Sequence, residues 1–135
     1  MLKKINVENE TVAFIIHSGY RQDGIKFFTS DKDQMQLGAM ERPKGYVIQP
    51  HIHNIVERQI NTTSEVLFIR FGKVKVNFYN KMKKIDKSVI LKTGDVILLI
   101  TGAHGFEILE DCQMVEVKQG PYLGEMDKTM LTNNE

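Results

Sequence analysis

The feature that most restricts how this chain can fold is the shortness of its apolar runs. The longest unbroken stretch of Val, Ile and Leu is the five residues 96–100, and no segment carries a helix-period stripe of useful length. The signal is instead short, often alternating runs rich in Val, Ile and Phe, cut by Gly, Pro, Asn and Asp. Residues 11–17 and 25–28 read as strands, 35–40 as a weaker one, and 45–53 as the next, with Pro50 at a bulge or edge. Residues 65–71 and 73–79 flank Gly72 as a turn, 88–91 and 96–100 flank Gly94-Asp95, and 105–109 and 114–119 flank Glu110-Asp111. Eight to ten short strands predict an all-β antiparallel sandwich or barrel.

Length and charge narrow the rest. A chain of 135 residues fits one domain, so residues 1–135 are expected to fold as a single unit with a strap at about 120–131 and a fraying tail at 132–135. Eighteen basic residues face seventeen acidic ones for a net charge of +1, a balance that argues against nucleic acid as partner. Cys112 is alone, which excludes an intramolecular disulfide and a four-cysteine zinc site. The acidic Glu110-Asp111 before it disfavours a thiolate nucleophile. Residues 1–10 lack the apolar core of a signal peptide, and a five-residue run is far short of a membrane span. A cytoplasmic protein with no membrane partner is expected.

Three of the four histidines are suggestively placed. His51 and His53, two apart on an expected strand, point to one face, where two imidazoles call for a shared metal or carboxylate. His104 follows the most apolar strand among small residues, Thr101-Gly102-Ala103-His104-Gly105. Glu65 opens a strand whose Leu67, Ile69 and Phe71 share its face, and a carboxylate there needs a cation or donors. Glu57 is the rival carboxylate, in a polar stretch of eleven residues, 54–64. Arg58 in the same stretch is a candidate substrate clamp, with Asn61, Thr62 and Thr63 as polar rim. His17 reads as a satisfied core or interface histidine. Apolar residues on both parities of 96–100 predict two covered sheet faces and a homodimer.

The segment Gly45-x5-His51-x-His53-x11-Glu65-x6-Gly72 resembles the first motif of the cupin superfamily. The gap before the glutamate is longer than usual, but only Glu65 is followed at the right distance by a glycine. Gly94-x5-Ile100-x-Gly102-x-His104-x3-Ile108 resembles the second motif in degraded form. The likeness covers about 45–108. It implies a single cupin domain, a double-stranded β-helix or jelly-roll sandwich. It also implies that His51, His53, Glu65 and His104 form a three-histidine, one-glutamate set for one divalent transition metal, whether Fe, Mn, Zn, Ni or Co. The function it suggests is a metal-dependent enzyme on a small polar molecule, such as a sugar or sugar derivative, by isomerisation, epimerisation or oxygenation. Two alternatives stand beside it. One is a non-catalytic binding or sensing module. The other is a metal-free enzyme like sugar-nucleotide epimerases, which needs a histidine base, an acidic partner to orient it, and a tyrosine acid.

Overall fold

The computed structural model describes residues 1–131, so the tail at 132–135 lies outside the described residues. The chain divides into two compact units, residues 1–20 with those from 63 onward, and residues 21–62. In the first, β1 (Leu2–Val7) and β2 (Glu10–Ile16) form a hairpin. Its two turn residues, Glu8 and Asn9, both have positive φ, the backbone that two-residue hairpin turns demand. β1 escapes a search for apolar runs because only Ile5 and Val7 of its length are buried.

The second unit holds β3 (Gly24–Phe27) and β4 (Gly38–Glu41), paired antiparallel. The Arg21 guanidinium donates to the Glu41 carboxylate, which also accepts the Gln22 N–H at 3.0 Å. Arg21, and then that N–H, bring the Glu41 pKa down to about 2. Residues 47–62, where a strand was expected at 45–53, form no strand and no backbone–backbone hydrogen bond among the described residues. Pro50 removes one donor, and the segment is held mainly by side chains. Gln34 accepts from the Thr62 hydroxyl at 2.7 Å and donates to Asn61 at 2.9 Å.

Four further strands belong to the first unit: β5 (Glu65–Tyr79), β6 (Ile85–Lys92), β7 (Val96–Leu99) and β8 (Ala103–Lys118). With β1 and β2 they make one antiparallel sheet, ordered β1-β2-β7-β5-β6 with β8 on the other side of β5. The sheet curls into a half-barrel, consistent with a β-sandwich. Its inner face carries the core: Ile5, Val12, Ile15, Leu67, Ile69, Val74, Val76, Phe78, Leu91, Ile97 and Leu99.

Two expected turns are absent. Gly72 and Glu110-Asp111 lie inside long continuous strands, and the β5–β8 register shifts three times between Ile69 and Val74. These irregularities bend the ribbon without ending it. Gly72 has φ +94, and a Cβ there would overlap the Asp111 carbonyl, so only glycine fits this crossing. The shift also changes which side chains of β5 face inward. Glu65, Leu67 and Ile69 do so before it, and Val74, Val76 and Phe78 after it.

Candidate functional site

The curl of the β5–β8 ribbon brings distant residues together. Glu65 stands opposite Lys118 at one end, and His104 stands opposite Phe78 near the other. Thirteen residues of straight strand would separate them by ~40 Å. Yet His104 Nε2 lies 2.8 Å from Glu65 Oε1. β7 supplies the short path, since Leu99 pairs with Glu65 only five residues before His104.

Both side chains are mostly covered, 27% exposed for His104 and 14% for Glu65. The His104 hydrogen bond holds the Glu65 carboxyl below the usual carboxylate range, against the opposing effect of burial. A carboxylate accepts, so Nε2 is the donor of this hydrogen bond, and in a neutral ring the lone pair falls on Nδ1. Nδ1 is buried and, among the described residues, has no partner. An unsatisfied buried polar atom costs about 1–3 kcal/mol, and such exceptions cluster at working sites.

The pair lines a cavity of about 550 Å³ with Thr63, Tyr79, Glu116 and Lys118. Glu116 and Lys118 share the inner face of β8, opposite Leu67 and Glu65 respectively. Burial, and then the nearby Glu65 charge, push the Glu116 carboxyl up. The Tyr79 hydroxyl passes over Gly105, 3.5 Å from where a Cβ would sit. The cavity thus holds an oriented imidazole, a carboxylate and a phenol. Alternation of Met114, Glu116 and Lys118 on one face could have flagged Glu116. Nothing in the pattern marks Tyr79, since its place depends on the ribbon's curl.

His51 and His53 lie in the second unit, exposed, with ring centroids 5.3 Å apart and edge-on. His51 Nδ1 donates to the Gln49 carbonyl at 2.8 Å. Glu57 and Arg58 are exposed as well, and Arg58 lines an open cleft of about 660 Å³ beside Asp31 and Asp33. The four donors implied as a metal set are therefore split between the units. Glu65 and His104 hydrogen-bond each other through Oε1 and Nε2. Among the described residues no group of three or more His, Cys, Asp or Glu side chains gathers around one point.

His17 forms a second histidine–carboxylate contact, with Nδ1 3.5 Å from Asp95 Oδ2. Among the described residues no helix is long and apolar enough to cross a membrane. No family model matches the chain, and no curated protein or solved structure is found similar to it.

Proposed function

We propose that the protein is a proton-transfer enzyme on a cupin-type jelly roll, isomerising or epimerising a small polar molecule without a metal. The observation that carries this reading is the His104–Glu65 hydrogen bond at 2.8 Å with the other ring nitrogen buried and unpartnered. In neutral His104, Nδ1 is the basic atom. It takes a proton from a carbon next to a carbonyl, and the imidazolium formed is stabilised by Glu65. Tyr79, on the rim of the same cavity, is placed to donate to the carbonyl oxygen as charge develops there. A metal-free epimerase requires an acidic partner for its histidine and a tyrosine. Glu65 and Tyr79 supply both residue types.

The test is deuterium wash-in, followed by proton NMR, for a panel of keto sugars, uronic acids and their phosphates in D₂O. The expected result is exchange at one carbon by the parent protein, reduced by about 10²–10⁴-fold in His104→Ala. Exchange that survives both His104→Ala and Glu65→Gln would sink the reading. Treatment with a strong chelator is expected to leave the rate unchanged, because His104 and Glu65 satisfy each other. A chelator-sensitive rate, restored by one transition metal, would return weight to the four-ligand set.

A further inference from the structure

Resting on that reading of the site, we propose that its substrate carries a compact anionic group, a phosphate or carboxylate, held by Lys83, Lys118 and Lys128. All three lysines line the cavity that holds Glu65 and His104, and they arrive from three separate parts of the chain. Lys83 comes from the turn between β5 and β6, where it adopts a φ of 63°. Lys118 ends β8, directly opposite Glu65. Lys128 follows the 3-10 turn Gly124–Met126.

Among the described residues, none of the three has a carboxylate oxygen within 4.0 Å. Three carboxylates, Glu65, Glu116 and Asp127, line the same cavity. Glu65 is bound by His104. Burial, and then Glu65, push the Glu116 carboxyl up, while Lys118 and Lys128 oppose the shift. Lys118 is steadied from behind, with its Nζ 5.6 Å from the centroid of the Tyr122 ring. The three ammonium groups thus converge on the cavity without a close ion pair among the described residues, where an incoming anion can meet them. A volume of about 550 Å³ suits a ligand the size of a sugar phosphate or sugar acid.

Long-range charge points the same way. Residues 73–92 hold seven lysines and one aspartate in a chain whose net charge is only +1. Lys83 sits at the exposed tip of this hairpin, so the field draws anions toward the cavity mouth, an effect that salt weakens.

The test is a titration of the full chain, followed by NMR of the His104 ring and the lysine ε positions. Inorganic pyrophosphate is one probe, malonate the second, and glucose the uncharged control. The expected result is saturable binding of an anionic probe, weakened about tenfold in Lys118→Gln/Lys128→Gln and unchanged in Lys92→Gln. Preference for pyrophosphate identifies a phosphate, and preference for malonate a carboxylate. No saturable shift with either probe in the parent overturns the proposal, as does equal binding by the double variant. The readout is binding rather than turnover, so the two readings fail separately. Anion binding without proton exchange sinks only the catalytic one, and exchange on neutral sugars without anion binding sinks only this one.

Discussion

β7 has a histidine–carboxylate pair at each end, and the two differ in what surrounds them. At its start, Asp95 is nearly buried, and its two oxygens accept the Ser18 N–H at 2.9 Å and the Lys92 N–H at 2.8 Å. Its carboxylate is saturated by backbone, and His17, at 3.5 Å and a third exposed, adds little. At the other end, Glu65 hydrogen-bonds a histidine, whose second nitrogen has no partner among the described residues. The first pair ties the end of β2 to the turn at residues 92–95. The second holds one ring in one orientation beside a cavity. Residue types alone do not separate a structural pair from a chemical one; the separation comes from what the carboxylate's remaining lone pairs and the ring's second nitrogen do.

The largest expected effect contrasts the two histidines. His104→Ala lowers proton exchange by about 10²–10⁴-fold, whereas His17→Ala leaves it within about twofold. Equal losses in both variants would mean that the pairs do not differ in role.

The carboxylates should reverse that ranking when stability is measured. Asp95→Ala leaves two backbone N–H groups without their charged acceptor and is expected to cost ~3 kcal/mol. Glu65→Gln retains an acceptor for His104 and should cost under ~1 kcal/mol. Urea unfolding, with unchanged slopes, measures both. A larger cost for Glu65→Gln than for Asp95→Ala would break the comparison.

Gly72→Ala tests the bend that brings the second pair together. The new methyl meets the Asp111 carbonyl at a positive φ, for an expected loss of ~2 kcal/mol. Exchange activity should fall at temperatures where the variant is still folded by circular dichroism. A variant as stable and active as the parent would show that the ribbon curls without this crossing.

The smallest effect concerns Glu116. A carboxyl whose pKa is raised on folding contributes stability fully below its unfolded value and loses it as pH rises through the folded one. Glu116→Gln should therefore leave stability unchanged below the ordinary glutamate pKa. Above the raised value it should add well under ~1 kcal/mol, because solvent screens this exposed group. Glu65 has the opposite sign: its lowered pKa contributes stability at neutral pH, lost as pH falls through the folded value. Denaturation midpoints across the acid range separate the two.

Much of the fold is legible in the sequence, because alternation and breakers report locally. The strands at 11–17, 25–28, 88–91 and 96–100 were placed within a few residues by their own side chains. The misplacements have one cause. Gly72 and Glu110-Asp111 carry turn chemistry, but a bulge needs the same residues, and only the partner strand decides between them. Residues 45–53 alternate as a strand would, yet a strand exists only where an edge receives it. At the site, Glu65 and His104 were singled out separately, and their mutual contact depends on a ribbon bending back on itself. Tyr79, Lys83 and Lys128 depend on it too, and carry no local mark.

That bend has a kinetic consequence. The Glu65–His104 contact joins residues 39 apart in sequence, and it forms only once β5 has paired on both sides. Contacts of such separation cost loop entropy before they return anything, and they make folding slow. The site is thus assembled at the end of folding rather than carried in by one hairpin. During refolding, the proton exchange proposed for this site should return with the last phase, making it a clock for the curling of the sheet.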